Sequence, residues 1–158
     1  MKILFVCTGN VCRSPMAAAM AARMLAERGR GDVEVASAGT AAADGAPASE
    51  GAYLVGLEKG LDVSAHVARH LTRDLVAGAD LIFGMSDHHV ERALALGGEG
   101  RSHLLGTYAG RVFAEAEVDD PFGADLDTYR RTYDQLEDLL TDAMDRLLGP
   151  SDERSGDR

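Results

Sequence analysis

KILFVCTGNVCRSP, from Lys2 to Pro15, is the stretch on which the reading of the whole chain turns. A short apolar strand, Lys2 to Val6, runs into Cys7 and a Gly9-Asn10 turn, and Arg13 follows the cysteine after five intervening residues, with Ser14 and Pro15 behind it. Beyond the loop, PMAAAMAARMLAER (Pro15 to Arg28) is Ala- and Met-rich with no interior Gly or Pro, which predicts a helix. A strand, a tight loop and a helix in that order open a βαβ unit.

The rest of the chain repeats this alternation. Strands are expected at Val33 to Ser37, Asp80 to Met85 and, more weakly, Ser102 to Leu105; helices at Ala48 to Lys59, Leu71 to Ala77, Asp87 to Leu96 and about Asp125 to Leu148. In the last of these, Tyr129, Tyr133, Leu136, Leu140, Ala143 and Leu147 recur at three- and four-residue spacings, giving one apolar face that needs a sheet to lie on. Such alternation implies right-handed crossovers and an α/β fold with a mostly parallel sheet covered on both faces. Ligands of these folds bind outside the carboxyl ends of the strands, and Cys7 stands at one such end.

At 158 residues the chain has the length of one domain, expected over 1–149, with the polar run from Pro150 as a loose tail over 150–158. No apolar run approaches the roughly 20 residues that a membrane-spanning helix needs. Met1 leads straight into the strand without the pattern of a secretory signal, so a cytoplasmic address and no membrane partner are expected. A formal net charge of -10 repels nucleic acid. Any anionic ligand must therefore be held by a local arrangement of donors.

The loop after the first strand is such an arrangement. Backbone N–H groups entering a helix converge on one point, and the helix start adds about half a positive charge. Gly9 and Asn10 allow the tight curl, Ser14 can cap the helix or donate to the cysteine sulfur, and Pro15 suits the first turn. Beside those N–H groups and Arg13, a thiol at Cys7 is favoured as thiolate, the nucleophilic form. The planar fork of Arg13 can take two oxygens of a phosphoryl group, as no lysine does. Attacker and clamp are expected in one loop.

CTGNVCRSP after an N-terminal strand resembles the signature of the low-molecular-weight protein tyrosine phosphatase family. SAGT (Ser37 to Thr40), HVARHL (His66 to Leu71) and the late EVDDPFG extend the likeness over most of the chain. The resemblance implies a three-layer sandwich in which a four-stranded parallel sheet, order 2-1-3-4, carries helices on both faces. It implies no metal and no cofactor, catalysis by Cys7, Arg13 and Asp120, and phosphate and substrate binding by Thr8, Gly9, Asn10, Val11, Cys12, Ser14 and Phe122. Asp120, immediately before Pro121, is expected to protonate the leaving oxygen and later to activate water, with Asp119 a solvated neighbour. In relatives with a second loop cysteine, oxidation pairs the two; Cys12 is either such a resolving thiol or a packed helix-start residue. The expected partners are a phosphorylated protein or peptide and inorganic phosphate, with the enzyme a monomer.

Substrate choice divides on few residues. Many tyrosine-directed relatives carry two aromatics after the Asp-Pro pair, whereas here Phe122 precedes Gly123, and the other rim loop, Thr40 to Ser49, has no aromatic. DPFG and the following LDTYRRTYDQLEDLL are more similar to the bacterial branch that includes protein arginine phosphatases, in which a threonine at the place of Val11 accompanies phosphoarginine preference. An aliphatic β-branched residue there goes with phosphotyrosine, which favours aryl phosphates here. A thioredoxin-coupled arsenate reductase would need a further cysteine on a separate segment, and none follows Cys12. The histidines, among them His66 with His70 and His88 with His89, lack companion ligands at metal spacing and are expected in surface or packing roles.

Overall fold

A computed structural model describes residues 1–150. Four parallel strands, β1 (Lys2–Cys7), β2 (Glu34–Gly39), β3 (Leu81–Gly84) and β4 (Ser102–Leu104), form one sheet in the order β2-β1-β3-β4. The helices are α1 (Arg13–Glu27), α2 (Glu50–Glu58), α3 (Arg73–Ala77), α4 (Asp87–Ala95), α5 (Leu105–Tyr108) and α6 (Leu126–Leu148), with a 3₁₀ turn at Phe113–Ala116. The sheet and its order are those the family resemblance implied. Apart from Pro150, the expected tail lies outside the described residues.

β1 is central, so both its faces must be covered, and its side chains divide between two cores. Ile3, Phe5 and Cys7 face α1 and α6 in the larger cluster, while Leu4 and Val6 face α3 and α4 in the smaller one with Ile82, Val76 and Ala93. This is the period-two alternation of a strand. It explains why the segment reads as continuously apolar. α6 is 23 residues and about 35 Å long, and it lays Tyr129, Tyr133, Leu136, Leu140 and Ala143 into the larger core as their spacing predicted, with Leu147 only partly buried. Asp125 caps it by accepting from the Thr128 amide at 2.9 Å.

Several boundaries differ from expectation. α1 begins at Arg13 rather than Pro15, with Cys12 at the N-cap and no side-chain cap bond, so Ser14 is the second helical residue and not the cap. β2 runs on to Gly39, since its ladder with β1 continues until Gly39 stands beside Cys7. α3 begins at Arg73, two residues past Leu71, because the Thr72 hydroxyl caps it through the Leu75 amide. α5 and the 3₁₀ turn had no sequence signal. No helix among the described residues is long and apolar enough to cross a membrane.

Candidate active site

The site lies at the carboxyl end of β1, where the chain turns from strand to helix within five residues, Thr8 to Cys12. The tight curl falls on Asn10, in the left-handed region at φ 56°, a conformation that an asparagine tolerates better than most residues. Its side chain is buried and fully used. Nδ2 donates to Ser14 Oγ at 2.8 Å and to Ser37 Oγ at 2.9 Å, and Oδ1 accepts from the Arg69 amide at 2.9 Å. Asn10 also offers its carbonyl oxygen to His66 Nε2 at 2.6 Å. The loop is thus tied from behind to α1, β2 and the segment before α3.

Gly39 backs it from β2. A Cβ there would stand 2.9 Å from Asn10 N and from Ala42 Cβ, and closer still to the Thr8 carbonyl oxygen. Only glycine lets the two backbones approach so closely. Held this way, the amide hydrogens of residues 8–12 meet no acceptor among the described residues. They form a concave donor surface at the start of α1.

Cys7 ends β1 and is 2% exposed, with its Sγ 2.9 Å from Ser14 Oγ. Arg13 opens α1, 4% exposed; its Nη1 donates to the Val118 carbonyl at 3.1 Å and to Ser86 Oγ at 3.3 Å. Its Nε is buried and without a partner among the described residues. A guanidinium edge with an unused buried donor fits an oxyanion. Nη2 lies 3.5 Å from Oδ2 of Asp120, whose side chain is half exposed, and the other carboxylate oxygen accepts from the Phe122 amide at 3.1 Å. Pro121, itself buried, bridges that turn. Gln135 of α6 steadies the segment, its Nε2 donating to the Glu117 carbonyl at 2.9 Å and its Oε1 facing the Asp119 amide at 3.4 Å.

A cavity of about 360 Å³ opens over the loop. Cys7, Thr8, Gly9, Val11, Cys12 and Arg13 form its base, Asp120 and Phe122 one wall, and Ala41, Ala43 and Ala46 the other. Asn10 and Ser14 lie behind this surface. Asp119 is exposed beside it, and Phe122 turns outward with 69% of its surface accessible.

Cys12 is reduced and sits in a closed polar ring. Its thiol donates to Ser49 Oγ at 3.2 Å and lies 3.3 Å from the Tyr129 hydroxyl, which is 3.1 Å from Ser49 Oγ. Burial, above the opposing hydrogen bonds, pushes the Cys12 thiol up from its ordinary pKa, and burial likewise takes the Tyr129 phenol up to about 12. Both therefore stay protonated at neutral pH.

Two histidines enter the site's support, a role their spacing in the sequence did not reveal. Besides His66 on Asn10, the buried His89 places Nε2 2.8 Å from Thr8 Oγ1 and accepts the Ser86 amide on Nδ1 at 3.0 Å. Burial, reinforced by His88 and Arg13, holds His89 down to about 3, so the ring is neutral. No group of three or more His, Cys, Asp or Glu side chains gathers as a metal site among the described residues.

Residues 2–150 match the family model described as low molecular weight phosphotyrosine protein phosphatase. The protein-arginine-phosphatase of Bacillus subtilis (strain 168) is 37% identical over 93% of this chain and 97% of its own. The low molecular weight protein-tyrosine-phosphatase PtpB of Staphylococcus haemolyticus is 37% identical over 86% of this chain and 92% of its own. Among solved structures, the YwlE arginine phosphatase, as a cysteine-to-serine mutant with phosphorylated active site serine, superposes with a TM-score of 0.82 at 36% identity, covering 93% of this chain and 95% of that one.

Proposed function

Because the chain belongs to the low molecular weight phosphotyrosine protein phosphatase family and is a phosphatase, we propose that it hydrolyses phosphorylated protein side chains, phosphotyrosine foremost, through a phosphate held covalently on Cys7. The observation that carries this reading is the convergence of the Cys7 sulfur, the buried Arg13 edge and the Asp120 carboxyl on one cavity. The Cys7 thiolate attacks phosphorus, and the S–P bond forms as the bond to the leaving oxygen breaks. Loop amides and the Arg13 fork hold the equatorial oxygens, where charge must be neutralised throughout the transfer. Asp120 gives its proton to the leaving oxygen, a contribution of about 100- to 10,000-fold. In the second step the Asp120 carboxylate takes a proton from water, which attacks phosphorus; the S–P bond breaks and inorganic phosphate departs. The phosphorylated serine in the YwlE mutant supports the covalent step.

The aryl preference rests on the walls. Val11, Ala41, Ala43, Ala46 and Phe122 present apolar surface around the reacting centre, which suits a phenyl ring. Phosphoarginine is the second reading, favoured by the identity with the Bacillus subtilis enzyme. Hydrolysis of an aryl phosphate with a burst of trapped phosphoenzyme in Asp120→Ala tests the mechanism. Absence of turnover in the wild type, or turnover surviving Cys7→Ser, overturns it.

A further inference from the structure

His89 is fully buried, titratable and unused by the chemistry just described. Its hydrogen bonds fix its tautomer. Nδ1 accepts the Ser86 amide hydrogen, so in the neutral ring the single proton must sit on Nε2 and be donated to Thr8 Oγ1. The bond to Ser86 is half of a capping box at the start of α4, in which the Ser86 side chain also receives the His89 amide. Ser86 Oγ is in turn an acceptor for Arg13 Nη1. One imidazole therefore touches the residue that follows the nucleophile and the residue that props the clamp.

From this geometry we infer that His89 is a positioning residue for the phosphatase reaction, locking the Cys7 loop, through Thr8, to the Ser86 support of Arg13. The inference rests on the phosphatase reading above. The loop amides of residues 8–12 and the Arg13 guanidinium come from the junction of β1 and α1, whereas Ser86 comes from the junction of β3 and α4. The backbones of the two junctions already meet where the Met85 amide donates to the Val6 carbonyl at 3.1 Å, but the direct side-chain contact between Arg13 and Ser86 is, at 3.3 Å, a long one. The imidazole adds a second side-chain bridge, from Thr8 to Ser86. Donation from Nε2 also occupies the Thr8 oxygen as acceptor, leaving the Thr8 hydroxyl hydrogen free for an acceptor in the cavity that Thr8 lines. Burial above all opposes a second proton on the ring, and after it the two cationic neighbours, His88, whose ring centroid is 4.0 Å away, and Arg13. Ring neutrality is thereby maintained through the range in which the enzyme would work.

Four proteins test this with an aryl phosphate: wild type, Thr8→Val, His89→Asn and the double variant. Asparagine keeps an acceptor near Nδ1 for the Ser86 amide and so preserves the cap, but it loses the donor to Thr8. Each single change should lower kcat by about tenfold with KM within about threefold, since the loop amides and the Arg13 guanidinium remain as binding donors while the reacting groups lose register. The double variant should fall no further than the worse single one, because both changes cut the same link. Imidazole nitrogen resonances should show His89 protonated on Nε2 alone between about pH 5 and 8. Single variants with kcat within twofold of an active wild type, losses that multiply, or a proton on Nδ1 would each refute the link. An inactive wild type would instead sink the phosphatase reading itself.

Discussion

Replacing Gly39 by alanine probes how the loop after β1 is held without changing any residue that lines the cavity. The added Cβ would stand 2.9 Å from Asn10 N and Ala42 Cβ, with the Thr8 carbonyl oxygen nearer still. Ordinary non-bonded contact begins at about 3.5 Å, so something must move by roughly 0.6 Å or more. Gly39 itself is pinned: its amide donates to the Arg69 carbonyl at 2.9 Å and its carbonyl accepts from the Leu71 amide at 2.8 Å. The displacement therefore falls on the loop. A shift of about 1 Å in a reacting group costs on the order of 100-fold, so kcat/KM should drop at least about tenfold, or about 1.4 kcal/mol. Overpacking should also cost about 1–3 kcal/mol of stability, partly offset by the lower entropy of an unfolded alanine. Aryl phosphate kinetics and urea unfolding measure both. Gly31→Ala, where a Cβ meets nothing within 4 Å, is the control and should match wild type. A Gly39→Ala protein with unchanged kcat/KM and midpoint would refute the account of the loop's packing.

Asn10→Ala removes both Nδ2 donations and the acceptor for the Arg69 amide, and puts a less tolerant residue in the left-handed region; about 3–5 kcal/mol of stability should be lost, read by urea midpoint, with activity falling alongside. Acid should weaken the fold before carboxylates titrate. His89 is held at about 3 against an ordinary 6.5, so between those values the unfolded chain binds more protons and stability falls as pH is lowered from about 6.5, by up to about 1.4 kcal/mol per pH unit. Burial lowers His66 and His103 as well, in the same direction. Unfolding midpoints at pH 7 and 5 should differ less in His89→Asn than in wild type. Val11→Thr should raise phosphoarginine hydrolysis relative to phosphotyrosine hydrolysis, measured on matched peptides; an unchanged ratio would remove Val11 from the specificity argument.

What the chain disclosed beforehand was local. Propensity and periodicity located the core strands and the apolar face of α6, because the contacts that stabilise them repeat every two or every three to four residues. The strand, curl and helix around Cys7 were legible in part: Asn10 takes the left-handed turn that an asparagine tolerates and the Ala-rich run forms α1, but Ser14 lies inside the helix and does not cap it, and Gly9 takes no positive φ. α5 and the 3₁₀ turn were not, being four residues each and held by tertiary contact, where Gly106 admits the Ala116 backbone against it. The extension of β2 through Gly39 was hidden by a residue that strands avoid, tolerated because the loop lies against it. Gln135, His66 and His89 act across separations of 18, 56 and 81 residues, and no spacing in the sequence announces such partners. Ser86 and His89 did carry a faint local trace, a capping-box spacing with histidine in the place usually taken by Glu or Gln.

The central place of β1 has a cost in time. Cys7 can be flanked on one side once Gly39 has been made, but the other flank of β1 is closed by β3, whose Gly84 pairs with Val6 across 78 residues of chain. Parallel pairing over such separations forms slowly, since the intervening loop must be closed before any contact repays it. At a synthesis rate of about 5–20 residues per second, the interval between the two segments alone is on the order of 4–16 s. Cys7, the nucleophile of the proposed reaction, is thus among the earliest residues made and among the last enclosed, and during that interval its thiol is accessible, open to oxidation and to mixed disulfides. Survival of the Cys7 thiol during biogenesis then depends on the reducing power of its surroundings and not on the fold.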